Sequence, residues 1–230
     1  MTRHTVDWSA LRVPGDADAA GLRERRKRAT RQALIDAATT LCLERGFDAV
    51  TVTEIAEAAG VSPATAFNYF PTKESLILDV PDALLKSLHQ ALADAETPPV
   101  HAMLQVLAGE LDNLISWLEA QQDRVWAFEA VQRFEAMVRD TPGLQAHYRN
   151  MLNRMATVAC QALAYRSGAD PQDPEPQIAA VALLGLWPVQ VDASCRALES
   201  AETAQQVREV VTEQVRRAAR VLEVGLATLV

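Results

Sequence analysis

The sequence predicts an all-α protein of about nine helices: an N-terminal helix-turn-helix domain followed by a larger helical body. Three observations predict it. Glycine is scarce, 9 of 230 residues, and period-two alternation of β-branched and aromatic residues is nearly absent. Long stretches instead repeat apolar residues at three- and four-residue spacing, the mark of amphipathic helices. Helix punctuation separates those stretches, at Thr97-Pro98-Pro99, Thr141-Pro142-Gly143, Ser167-Gly168 and Pro171 to Pro176.

Composition narrows the class. Hydrophobic residues make up 49% of the chain, ordinary for a globular protein and enough for a substantial core. The formal net charge of −8 argues against coating nucleic acid through bulk charge. That charge is unevenly placed. Residues 1–80 hold 10 Lys/Arg against 11 Asp/Glu, whereas residues 81–230 hold 12 against 19. The longest nearly uninterrupted apolar run, Ile178 to Val189, is shorter than the ~18 residues a membrane span needs. The N-terminus shows no apolar signal region, and Cys42, Cys160 and Cys195 form no CxxC pair. A cytoplasmic protein without membrane contact, metal or cofactor is expected.

Along the chain, residues 1–22 read as a flexible extension, 23–80 as the helix-turn-helix domain, and 81–230 as the larger domain. Arg23, Arg25, Arg26, Lys27, Arg28 and Arg31 face only Glu24 across nine residues, a local charge of +5. Taken alone, such a run is a solvated helix face or a flexible arm. Leu34, Ile35, Ala38, Leu41 and Cys42 then form an apolar face, and Gly46 suits a helix C-cap. Thr51-Val52-Thr53-Glu54 is a capping box, with Thr51 at the helix start and Glu54 reaching back to it. That short helix buries Val52, Ile55, Ala56 and Ala59 and ends at Gly60. Ser62 as N-cap and Pro63 at the first helical position start another helix at once.

The second short helix sorts by angle. Ala66 and Phe70 point inward, while Pro63, Ala64, Phe67 and Asn68 share the other side. A helix exposing Pro, Ala, Phe and Asn with no charge suits a major groove. Small apolar groups fit thymine methyls, Asn pairs with adenine, and the Thr65 and Tyr69 hydroxyls reach phosphates. Thr72 caps the next helix, where Lys73 could bind a phosphate.

Arg28 to Leu78 resembles the DNA-binding domain of TetR-type transcriptional regulators. The matching elements are the GF-x-A-x-T-V-x-x-IA-x-x-AGVS run, the T-x-F-x-YF helix and the P-T-K-E-x-L exit. The resemblance implies a recognition helix at Pro63 to Phe70, with base contacts from Pro63, Ala64, Phe67 and Asn68 and from Thr53 on the preceding helix. It assigns phosphate contacts to Thr51, Thr65, Tyr69 and Lys73, with Ser62 at the cap and Arg25 and Arg28 in the basic run beside them. Many members carry Tyr at the Phe67 position and a polar residue at Pro63, so methyl contact and DNA shape should weigh more here. The stretch from Phe67 to Asp82 is also similar to a subgroup with an acyl-CoA-like ligand preference.

In the larger domain, Leu104, Leu107, Leu111, Leu114 and Leu118 form one apolar stripe. Pro81 should kink or restart the helix that connects the two domains. Trp126, Phe128, Phe134, Tyr148, Met151 and Met155 lie on adjacent predicted helices and suit an adaptable apolar pocket for a small-molecule effector. Ile178 to Val189 is apolar all round and should be buried on most sides. With Thr203 to Leu229 it resembles the two-helix face through which family members pair, which marks Ile178, Leu184, Trp187, Val211, Val215 and Leu222 as interface residues of a homodimer.

The expected function is a ligand-responsive, dimeric repressor of a palindromic double-stranded DNA operator, released by a small apolar or acyl-type molecule. The alternative is an activator, or a DNA-binding adaptor whose larger domain binds a protein. An enzyme is disfavoured. His4, His89, His101 and His147 are scattered, none has Glu three residues earlier, and no hydrolase, zincin or nucleotide-loop motif is present.

Overall fold

The structure is a computed structural model that describes residues 22–226; the expected flexible extension therefore lies almost wholly outside the described residues. Among those residues there are eleven α-helices and no strands. They are α1 (Leu22–Arg45), α2 (Val52–Ala58), α3 (Pro63–Tyr69), α4 (Lys73–Ile77), α5 (Asp82–Ala93), α6 (Pro99–Ala120), α7 (Arg124–Asp140), α8 (Pro142–Ser167), α9 (Pro174–Leu184), α10 (Leu186–Ser200) and α11 (Ala204–Leu226). The count exceeds nine partly because prolines cut helices that periodicity alone would join. Pro81 stands at the N-cap of α5, so the chain restarts there. Pro188 lacks an N–H, and its ring opposes the carbonyl of Leu184, where α9 stops and α10 takes over.

The chain divides into two compact units. The first comprises the described residues up to Asp79 together with Glu129–Tyr148, and the second Val80–Phe128 together with Arg149 onward. Residues 129–148, expected in the larger domain, fall in the first unit. The segment 129–148 joins the N-terminal core, where Leu144 is fully buried and Phe134, Met137 and Val138 pack against the cluster. That cluster is built from Leu34, Ile35 and Ala38 of α1, Ile55 and Ala56 of α2, Ala66 and Phe70 around α3, and Leu76 and Ile77 of α4. Cys42 is buried in it, and burial pushes its thiol up to about 11.

In the second unit, α11 packs along α6 and α10. The Arg208–Asp112 ion pair joins the start of α11 to the latter half of α6. Gln190 of α10, itself buried, donates to the Leu107 carbonyl at 3.0 Å. Arg166 donates to the carbonyls of Leu92, Ala95 and Thr97, which otherwise lack helical partners at the α5–α6 turn. By length and composition, the stretch Pro174–Ser200 is apolar and long enough to cross a membrane, beyond what the 12-residue run indicates. Its two helices break at Gly185 and pack with α11 in this unit.

Candidate nucleic-acid interface

Local signals in the sequence build the two short helices. Thr51 Oγ1 accepts from the Glu54 N–H at 3.2 Å, and Glu54 Oε2 accepts from the Thr51 N–H at 2.8 Å. Both halves of the capping box are thus made. Arg45 adds an ion pair to Glu54 at 2.8 Å. These partners, the Thr51 backbone first, lower the Glu54 carboxyl to about 2. Gly60 takes φ +70°, the left-handed conformation that lets α2 stop within one residue and the chain turn into α3. Ser62 Oγ then accepts from the Thr65 N–H at 3.1 Å, with Pro63 at the first helical turn.

The faces of α3 divide as its sequence predicts. Ala66 is fully buried and Phe70, its C-cap, is 1% exposed. Pro63, Ala64, Phe67 and Asn68 are all exposed, Phe67 by 51%. No charged residue lies on this helix. Thr51 and Thr53 are exposed beside it, and Tyr69 is half-buried against the core. The Thr65 hydroxyl lies 2.8 Å from that of Ser62. The result is a small outward face with no charge, with hydroxyl-bearing side chains around it and the one amide, Asn68, near its C-terminal end.

Of the two readings left open for the run from Arg23 to Arg31, the helix face is what forms: the run makes up the first turns of α1, with Arg23, Arg25, Arg26 and Lys27 exposed and Arg28 half-buried. Lys73, expected at a phosphate, turns inward. Its Nζ donates to the Phe47 carbonyl and stands 4.1 Å from the Phe47 ring centroid. The ammonium thereby closes the loop between α1 and α2. Sequence reasoning also missed the Arg45–Glu54 pair. A basic residue nine positions before an acidic one on a different helix carries no local signal.

Residues 34–80 match the family model described as bacterial regulatory proteins, tetR family, and residues 120–226 match the MftR C-terminal domain. The HTH-type transcriptional regulator TcmR of Streptomyces glaucescens is 32% identical over 163 residues, 66% of this chain and 67% of that protein. The chain belongs to the TetR family. It is a DNA-binding transcriptional regulator, and α2 and α3 are its helix-turn-helix. The putative mycofactocin biosynthesis transcriptional regulator MftR of Mycobacterium tuberculosis is 28% identical over 170 residues, 70% of this chain and 78% of that protein. A solved TetR-family regulator from Streptomyces coelicolor covers 85% of this chain and 99% of its own, at 25% identity and a TM-score of 0.45.

In this TetR-family regulator, the six residues expected to line an effector pocket fall in both units. Trp126 tilts against Trp117, ring centroids 6.5 Å apart, and Met155 is fully buried. Phe134 and Tyr148 belong to the first unit; Trp126, Phe128, Met151 and Met155 belong to the second. None of the six lines the groove of about 470 Å3 that runs between α6 and α11. Leu107, Leu111 and Val215 form the buried part of that groove, and His101, Arg216 and Arg220 are exposed along it. Among the described residues, no group of three or more His, Cys, Asp or Glu could hold a metal ion.

Of the expected interface residues, Leu184, Val211 and Val215 are buried within the chain's own fold, 4%, 0% and 4% exposed, and so are not available to a partner. The structure packs them where α9, α10, α11 and α6 converge. Trp187 and Leu222 are half-buried. Ile178 is 59% exposed, contrary to a helix buried on most sides, and Val181 beside it is 60% exposed.

Proposed function

We propose that this regulator is a dimeric repressor that reads a palindromic operator and leaves it when a small apolar or acyl-type molecule binds the second unit. The observation that carries the DNA half is the uncharged outward face of α3. Pro63, Ala64, Phe67 and Asn68 offer methyl-sized contacts and one bidentate amide, the chemistry of base edges in the major groove. Thr53 on α2 adds a base contact, Thr51, Thr65 and Tyr69 serve phosphates with Ser62 at the cap, and the exposed Arg25, with Arg28, supplies charge from α1. Lys73 is left out, because its ammonium is already held by Phe47.

The groove between α6 and α11 supports the effector half. At about 470 Å3 it exceeds the ~300 Å3 at which small-molecule sites begin. Its apolar interior with arginines alongside suits an amphipathic anion over a protein surface. Two exposed apolar residues one turn apart, Ile178 and Val181, support pairing through α9. The protein would act in the bacterial cytoplasm, as a regulator that meets chromosomal DNA.

Selection of bound sequences from a random duplex library tests the reading. The expected outcome is an enriched two-fold symmetric site with half-sites about 34–36 Å apart or a multiple of it. Recovery of no palindrome would overturn it. Repeating the selection with decanoyl-CoA tests release, expected as a 5–150-fold loss of affinity, on the order of 1–3 kcal/mol.

A further inference from the structure

Arg31 belongs by sequence to the basic run, yet the structure separates it from its neighbours. Arg23, Arg25, Arg26 and Lys27 are exposed, whereas Arg31 is half-buried. Its guanidinium carbon lies 4.3 Å from the centroid of the Phe70 ring, and its Nη2 pairs with the Asp79 carboxylate. Phe70 is the C-cap residue of α3, 1% exposed, and its N–H donates to the Ala66 carbonyl at 2.9 Å. Asp79 is the last residue of the N-terminal segment of the first unit, where the chain passes into the second. One side chain of α1 therefore touches both the exit of the helix that faces outward and the end of the segment that follows α4. The arrangement needs arginine. A planar guanidinium stacks on a ring with its face while its edge pairs with a carboxylate, and lysine offers only a point charge.

We propose that Arg31 is a positioning residue for operator reading: stacked on Phe70 and tied to Asp79, it fixes where α3 lies against α1 and makes no phosphate contact. Asp79 is its partner in that role. The inference rests on the reading that α3 contacts the operator. Failure of that reading would appear separately, as a selection that yields no palindrome.

The test uses the full chain and the operator recovered by selection. Affinities for the operator and for a random duplex are measured across a salt series for Arg31→Met, Arg31→Lys and Asp79→Asn, with Arg25→Ala for comparison. Melting temperatures are measured in parallel, and affinities are taken well below them. Arg31→Met keeps the stem on the ring but loses the stack and the ion pair. It should weaken operator binding about tenfold, which is about 1.4 kcal/mol. Random-duplex affinity and the slope of log K on log salt should stay unchanged, so the operator preference falls. Asp79→Asn should weaken operator binding in the same direction, and the double variant should be no worse than Arg31→Met alone. Arg31→Lys should fall between wild type and Arg31→Met. Arg25→Ala should instead reduce the slope by about 0.9 and weaken both duplexes.

Three outcomes overturn the proposal. One is a slope that drops by about one with Arg31→Met, the signature of a phosphate contact. The second is operator binding that strengthens with Asp79→Asn, as expected if that carboxylate merely repels DNA. The third is a lowered melting temperature with operator preference intact, as expected of a purely structural pair. If Arg31→Met fails to fold, Asp79→Asn and Arg31→Lys decide by the same readouts.

Discussion

Glu110 should make the second unit less stable as the pH rises towards neutrality. It sits on α6, one face with Val106, Asn113, Leu114 and Trp117, the last only 1% exposed. Burial raises its carboxyl from 4.5 to about 7. The nearest amide, Asn113 Nδ2, is 3.5 Å away, and among the described residues no Lys, Arg or His forms an ion pair with it. Between pH 4.5 and 7 the unfolded chain has lost this proton while the folded chain keeps it. The folded state binds more protons over that window, so stability falls as pH rises and levels off above about 7. At about 1.4 kcal/mol per pH unit, the full effect is on the order of 3 kcal/mol. Glu110→Gln removes the charge at nearly constant shape. Urea unfolding followed by tryptophan fluorescence suits the measurement, because Trp117, Trp126 and Trp187 all lie in the second unit. The variant should match wild type at pH 4.5 and exceed it by roughly 2–3 kcal/mol at pH 8. Equal gains at both pH values would mean that packing, not charge, is responsible. Parallel curves without any gain would show that water already solvates the carboxylate.

Other positions give sharper contrasts. Lys73→Met should destabilise the first unit by about 1–2 kcal/mol through the lost Phe47 contacts, with the salt dependence of operator binding unchanged. A slope lowered by about one would return Lys73 to the phosphate contacts. Thr51→Ala should cost about 1 kcal/mol by removing the cap of α2, read as a lower urea midpoint. Because the Glu54 carboxyl is lowered from 4.5 to about 2, its contribution to that cap is complete above pH 4.5 and fades as the pH falls towards 2, visible as an acid-side loss absent from Glu54→Gln. Ile178→Glu combined with Val181→Glu should yield folded monomers by analytical ultracentrifugation, whereas Leu184→Glu should unfold the second unit. An intact dimer in the double variant would move the interface elsewhere.

What the sequence made legible is what short-range chemistry decides. The capping box at Thr51 and Glu54, the left-handed Gly60, and Ser62 with Pro63 each act within four residues, so α2, the turn and α3 could be read directly. The division of α3 into buried Ala66 and exposed Phe67 followed from helical angle alone. Illegible were the contacts that tertiary structure closes. Lys73 and Arg31 are basic residues near a basic run, and only the fold shows that Phe47 holds one and Phe70 with Asp79 the other. A helix that is apolar all round gives no hint of which face its own protomer covers. That is why Leu184 read as interface although it is core, and why Ile178 is exposed. Periodicity likewise cannot say which core a stripe joins, and only the fold shows that Leu144 packs in the core of the first unit.

These placements separate two properties that basic recognition helices usually merge. An outward face without charge cannot account for salt-dependent affinity, since that term arises from cations displacing counterions at phosphates. The densest group of exposed cations in the first unit lies along the start of α1, at Arg23, Arg25, Arg26 and Lys27. With Arg31 and Lys73 engaged internally, the proposed reading makes affinity and sequence preference depend on different helices. Residues 81–230 carry 19 acidic against 12 basic side chains, which adds repulsion from DNA at large. On that reading, a change at Phe67 or Asn68 should alter which sequence is bound while leaving the salt slope untouched. A change at Arg25 does the reverse. A regulator built this way can shift its operator by substitutions on one seven-residue helix without adjusting how tightly it holds DNA in general.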